Sequence, residues 1–155
     1  MLSQKYKDRN ETAIQTLVPE MQPIARKHIE MSSAANVDLV ITFGFRSVAQ
    51  QNDIWAQGHT KPGKIVTNAK GGYSWHNFAR AYDVAVVTAD GKEFDWKYDS
   101  DEDHDGTSDY KEIIDIARKL GLGCGADFKN LFDFGHFEYH PGLTLEQARA
   151  KAGIV

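Results

Sequence analysis

Cysteine is almost absent from this chain of 155 residues: Cys124 stands alone, so no intrachain disulfide forms. Lying in Gly121-Leu122-Gly123-Cys124-Gly125, it reads as a small turn residue rather than a nucleophile. Proline is scarce too, with four residues, and no linker, repeat or low-complexity tract divides the chain. No apolar run approaches the roughly 18 residues of a membrane helix, which argues against membrane insertion. The basic stripe with interleaved aromatics that marks a nucleic-acid binder is missing. Met1 to Arg9 lacks the apolar region of a signal peptide, so the expectation is synthesis in the cytoplasm.

What is present suits one enzyme-sized domain, residues 1–155, read as a monomer. Hydrophobic residues make up 41% of the chain, enough for a real core. The net charge of −4 is uneven, because residues 99–112 hold seven acids and one lysine and leave the remainder slightly positive. The N-terminal third has helical periodicity through Glu30, broken by Pro19 and Pro23. Asp38–Phe43 reads as a buried strand, Ser47–Gln57 as a helix, and Gly58–Tyr73 as a Gly-rich loop bordering a cleft. Tyr82–Thr88 is β-branched and strand-like, Glu93–Tyr98 and Phe134–Tyr139 alternate with period two, and Tyr110–Gly121 is a helix with a glycine stop. Thr144-Leu145-Glu146-Gln147 caps a short last helix. The expected fold is α+β, a central antiparallel sheet flanked by helices.

Two segments carry the chemistry. Ser74-Trp75-His76-Asn77-Phe78-Ala79-Arg80-Ala81-Tyr82-Asp83 is answered about fifty residues later by Asp133-Phe134-Gly135-His136. A catalytic zinc keeps about three His or Asp/Glu ligands and leaves a position for water, whose pKa it lowers towards roughly 7. His76, Asp83 and His136 supply such a set, and Asp133 is placed to take the proton. Each histidine also has the ordinary reading of a surface or core residue. Asp83 is harder to dismiss, since a carboxylate heading an apolar strand needs a cation or several donors. His140 is a rival ligand, but its spacing from His136 brings side chains together only on a helix, and the local pattern is a strand.

These segments resemble the zinc D,D-peptidase and L-alanyl-D-glutamate peptidase superfamily, and within it the small phage endolysins that cut peptidoglycan stem peptides. The likeness covers roughly residues 35 to 142, including Gly44-Phe45-Arg46-Ser47, Gln51 and Trp55 to Ala69. Ala79 departs from the family's usual glycine, and His59 from its usual arginine. The resemblance implies zinc ligands His76, Asp83 and His136, Asp133 as general base, and Arg46 facing a substrate carboxylate or oxyanion. It further implies that Ser74 binds substrate or orients the His76 loop, with Gln51 a weaker substrate-binding candidate. The implied partner is the peptidoglycan stem peptide, reached from the host cytoplasm through a separate phage membrane pore, with action at the cell wall in the periplasm.

Asp101-Glu102-Asp103-His104-Asp105-Gly106-Thr107-Ser108-Asp109-Tyr110-Lys111-Glu112 carries a second motif. It matches an EF-hand calcium loop: Asp101, Asp103, Asp105, Asp109 and Glu112 at carboxylate positions, the Thr107 carbonyl between them, and Gly106 at the sharp turn. Ser108 stands where such loops carry an apolar residue. The alternative is a solvated acidic loop. The resemblance, with this loop added, implies a zinc L-alanyl-D-glutamate endopeptidase, calcium-regulated, serving host cell lysis. The same site suits a D-alanyl-D-alanine carboxypeptidase or dipeptidase, and from a different class the chain could be a non-catalytic, calcium-dependent wall-binding module. A calcium sensor is disfavoured by the single loop.

Overall fold

The computed structural model describes residues 1–154. Ser3 caps helix α1 (Gln4–Ile14), and Pro23 sits in the first turn of α2 (Gln22–Ala34). Proline starts this helix rather than breaking it, because the first helical N–H groups have no intrahelical partner to lose. Strand β1 (Leu39–Phe43) passes through Ser47, which forms a capping box with Gln50, into α3 (Val48–Ala56). A long loop then reaches a single 3-10 turn, Trp75–Phe78, and strand β2 (Ala81–Val87). After β3 (Phe94–Asp95) come α4 (Asp109–Lys119), β4 (Gly123–Cys124), β5 (His136–Glu138) and α5 (Leu145–Lys151).

The sheet order is β1-β2-β5-β4, with β3 also paired to β2, and every pairing is antiparallel. Successive side chains of a strand face opposite ways, so β2 serves two surfaces. Tyr82, Val84 and Val86 join Leu39, Ile41 and Phe137 in the main core, beneath Ile14, Ala25, Ile113 and Ala117 of the helices. Asp83 faces the other side. It lies directly opposite His136 across the β2–β5 ladder, and the register shift between Ile41 and Phe43 falls beside it on β1. The site therefore stands on a strand whose reverse face is anchored in the core.

Two polar side chains buried in that core are paired. Asn10 donates to the Leu39 carbonyl (2.9 Å) and accepts from the Ile41 N–H (2.7 Å), which stitches α1 to the edge of β1. His28 sits between the Tyr82 hydroxyl at 2.8 Å and the Ile113 carbonyl at 2.9 Å. Burial pushes its imidazole down to about 4, against the upward pull of the Ile113 bond.

Two expectations are corrected. The strand expected over Glu93–Tyr98 is reduced to Phe94–Asp95, because the Asp95 carboxylate accepts the Lys97 N–H at 2.9 Å and turns the chain. Cys124 is a buried strand residue paired with Phe137, not a turn residue, and burial raises its thiol to about 11.

Candidate metal centre and cleft

His76 arrives on the 3-10 turn, whose start is fixed by Ser74: its hydroxyl accepts the His76 N–H at 3.3 Å, and Asn77 closes a capping box. Asn77 also donates to the Arg46 carbonyl (2.9 Å), while the Arg46 N–H donates to the His76 carbonyl (3.0 Å). The arginine turn and the histidine turn are thus locked together. The turn ends at Ala79 with φ of 57°, a left-handed conformation that explains why glycine suits this position.

Ligand atoms of His76, Asp83 and His136 all lie within 4.8 Å of one another. His76 Nδ1–H donates to the Gly44 carbonyl at 2.8 Å, leaving Nε2 to face Asp83 at 3.2 Å. His136 is turned the other way. Its Nε2 meets Glu138 at 2.9 Å, and Nδ1 faces Asp83 at 3.0 Å. Burial alone would raise the Asp83 carboxyl, yet the charges and hydrogen bonds of the two imidazoles hold it well below the usual carboxylate range. Burial would lower His136, but the Asp83 and Glu138 carboxylates lift it to about 10. Two imidazole nitrogens and a carboxylate fit zinc, and the second ring nitrogen of each histidine is already engaged.

Arg46 is buried and directed at this cluster, with Nη2 3.7 Å from Asp83 and its guanidinium 4.2 Å from the centre of the Phe43 ring. Its Nη1 donates to Gln51 at 2.9 Å, and its Nε is buried without a partner. Gln51 itself is fully buried, and its amide also donates to the Ala69 carbonyl at 2.8 Å. Gln51, expected as a weaker substrate-binding candidate, is not among the residues that line the cleft, and its bonds hold Arg46 and the 67–69 loop.

Asp133 lines the same cleft. Burial raises its carboxyl first and the Asp83 charge raises it further, while His136, His76 and Arg46 pull it down. Its backbone N–H donates to the Gly125 carbonyl at 3.1 Å. A Cβ at Gly125 would overlap the Asp133 carbonyl oxygen, so only glycine lets the Asp133 segment lie here. The cleft measures about 640 Å³, with Arg46, Ser74, His76, Asp83, Asp133, His136 and Glu138 on its surface and exposed Val66, Tyr73 and Leu131 at its rim.

Glu138 and the Gly44 carbonyl went unread in the sequence. Glu138 was open to detection, since strand alternation puts it on the face of His136. His140 joins no ligand set. Its Nε2–H donates to the Glu138 carboxylate (2.9 Å), and its ring stacks on Trp75 at 3.9 Å between ring centres.

The acidic loop places the carboxylates of Asp101, Asp103 and Asp109 within 4.8 Å of one another, and those of Asp103, Asp105 and Glu112 likewise. Gly106 turns the loop with φ of 94°. Ser108 caps α4 and its hydroxyl bonds the Tyr98 carbonyl, which accounts for a polar residue at that position. Asp109 Oδ1 and Glu112 Oε2 are buried without hydrogen-bond partners. Burial and the neighbouring acids raise Asp109 to about 6 and Glu112 to about 7.

A family model described as D-alanyl-D-alanine carboxypeptidase matches residues 67–139. Over 143 residues the chain is 37% identical to the peptidoglycan L-alanyl-D-glutamate endopeptidase CwlK of Bacillus subtilis (strain 168), covering 88% of this chain and 85% of that protein. The Serratia marcescens L-Ala D-Glu endopeptidase ChiX shares the fold, with a TM-score of 0.60 at 22% identity over 85% of this chain and 86% of that one. The vancomycin resistance D,D-pentapeptidase VanY, solved with Zn(II), aligns with a TM-score of 0.53 at 16% identity, over 85% of this chain and 83% of that one.

Proposed function

The chain belongs to the M15 peptidase family, and on that premise we propose that it is a zinc-dependent endopeptidase hydrolysing the L-alanyl-D-glutamate bond of the peptidoglycan stem peptide. One observation carries the reading: His76, Asp83 and His136 converge at a cleft shared with Asp133 and Arg46, in a chain 37% identical to CwlK.

His76 Nε2, an Asp83 oxygen and His136 Nδ1 would hold the zinc, which would supply an acidified water and Lewis acidity toward the scissile carbonyl. Asp133 takes a proton from the attacking water and returns it to the leaving amine of D-glutamate. A carboxyl raised by burial suits both halves of that exchange. Arg46, held by Gln51 and Phe43, stabilises the oxyanion or a substrate carboxylate without having to reorganise. Ser74 acts by fixing the His76 turn, and the apolar rim gives the peptide a surface to lie against.

The reading includes a second metal. Burying a carboxylate oxygen without a donor costs at least about 1–3 kcal/mol, and this loop has two such oxygens facing further acids. A calcium ion, which takes about six to eight oxygens, would satisfy them through Asp101, Asp103, Asp105, Asp109, Glu112 and the Thr107 carbonyl. Calcium would then order the segment that enters α4 and regulate the enzyme. The proposed setting is phage-driven host lysis, with a monomer made in the cytoplasm and released to the wall by a separate pore protein. No described helix is long and apolar enough to cross a membrane.

A D-alanyl-D-alanine carboxypeptidase is the second reading, favoured by the description of the matching family model. Product mass spectrometry on purified muropeptides, with wild type and Asp133→Ala, separates the two. New L-alanine carboxyl termini on the glycan support the endopeptidase, and released D-alanine supports the carboxypeptidase. No product from wild type would leave a wall-binding module.

A further inference from the structure

The two histidines of the centre are held by unlike partners. His76 donates its outer N–H to a backbone carbonyl, that of Gly44, at 2.8 Å. His136 instead meets a carboxylate, and that carboxylate is itself held. Glu138 places one oxygen 2.9 Å from His136 Nε2 and the other 2.9 Å from His140 Nε2. The His140 ring lies nearly parallel to Trp75, 7° apart and 3.9 Å between centres. Trp75 is the residue before His76, so the chain of contacts returns to the turn that carries the other ligand.

Strand geometry accounts for the pairing. His136 and Glu138 are two apart on β5 and project to one face, while Phe137 between them is anchored in the core. The Glu138 side chain is 13% exposed, so its bond to His136 is shielded from water. On the neighbouring strand, Gly123 leaves room for it: a Cβ there would lie 3.1 Å from Glu138 Cγ.

We propose that Glu138, clamped by His140 stacked on Trp75, is the positioning residue that turns His136 Nδ1 toward the metal. The proposal rests on the zinc reading above and adds a residue to it. By accepting the Nε2–H, the carboxylate fixes both the ring rotation and the tautomer, and it makes Nδ1 a stronger donor. Carboxylate partners of this kind are worth roughly 10–100-fold in metal affinity. Glu138→Gln keeps an acceptor oxygen but loses the charge. Glu138→Ala loses both, and His140→Phe keeps the stack on Trp75 but frees one carboxylate oxygen.

The test is zinc affinity measured by competition with a chromophoric chelator, together with the thermal midpoint of each metal-free variant and the ¹⁵N shifts of His136. The expected order of zinc binding is wild type, then His140→Phe, then Glu138→Gln, then Glu138→Ala, the last about 100-fold weaker. With zinc bound, the ¹⁵N shift of His136 Nε2 should carry the signature of an N–H bonded to a carboxylate in wild type and lose it in Glu138→Ala. If Glu138→Ala folds and binds zinc within twofold of wild type, the proposal is overturned. A lower thermal midpoint with unchanged zinc affinity overturns it too, since Glu138 would then only support the fold. Failure of wild type to bind zinc would instead defeat the zinc reading beneath it.

Discussion

Replacing Gly125 with alanine should displace Asp133, the proposed catalytic base, while adding one methyl group. A Cβ at this position would overlap the Asp133 carbonyl oxygen and sit 2.9 Å from His136 Cβ and 3.0 Å from Asp133 Cβ, where ordinary contact begins near 3.4 Å. The nearest atom is backbone, so no side-chain rotation relieves the overlap, and the 132–134 segment must move by roughly 1 Å. A displacement of that size at a catalytic group costs on the order of 100-fold in rate. Gly123→Ala is the control two residues away. Its new methyl meets the flexible Glu138 side chain at 3.1 Å and should change the rate less than about tenfold. The assay is cleavage of a soluble stem-peptide substrate at saturating zinc, with circular dichroism to confirm folding. Full activity in folded Gly125→Ala would refute the claim that this contact places Asp133.

Three further outcomes follow from the structure. His28 is buried with its imidazole lowered to about 4 from 6.5, so the unfolded chain binds the proton first and stability is lost as pH falls from about 6.5 to about 4. That loss amounts to roughly 3 kcal/mol, and urea titrations should show His28→Gln lacking this part of the acid slope. Ala79→Gly relieves a left-handed residue at φ 57°, offset by chain entropy, and should raise the thermal midpoint by about 1–3 °C; a lower midpoint would contradict the strain argument. Without calcium, Asp109 and Glu112 have carboxyls raised above their unfolded values, so stability should fall as pH climbs from about 4 to about 7. Asp109→Asn should then unfold a few degrees higher than wild type in chelator and lose any stabilisation by added calcium. A calcium-induced shift that survives in Asp109→Asn would place the ion elsewhere.

Much of the site is legible in the sequence because strands and turns write locally. The apolar run Tyr82–Val87 and the alternation from Phe134 to Tyr139 announce adjacent strands, and with them the approach of Asp83 to His136. What could not be read depends on partners distant in sequence. Gln51 has nothing local to show that its amide serves Arg46 and Ala69 instead of a ligand. The Gly44 carbonyl that orients His76 is backbone, 32 positions away, and carries no side-chain signal. In the sequence Glu138 is one alternating polar residue, and its contacts with His136 and His140 exist only when His140 folds back over Trp75. Cys124 looked like a turn because glycines flank it, and a two-residue strand is too short to show a period.

The zinc reading is most directly tested by titrating zinc into chelator-treated enzyme while following cleavage of the L-alanyl-D-glutamate bond by mass spectrometry. Activity should be absent at the start, rise to a plateau at one equivalent of zinc, and stay absent in His76→Ala and His136→Ala at the same concentrations. Cleavage of that bond by fully metal-free wild type, or equal recovery in the histidine variants, would contradict the assignment of His76, Asp83 and His136 as the centre of this enzyme.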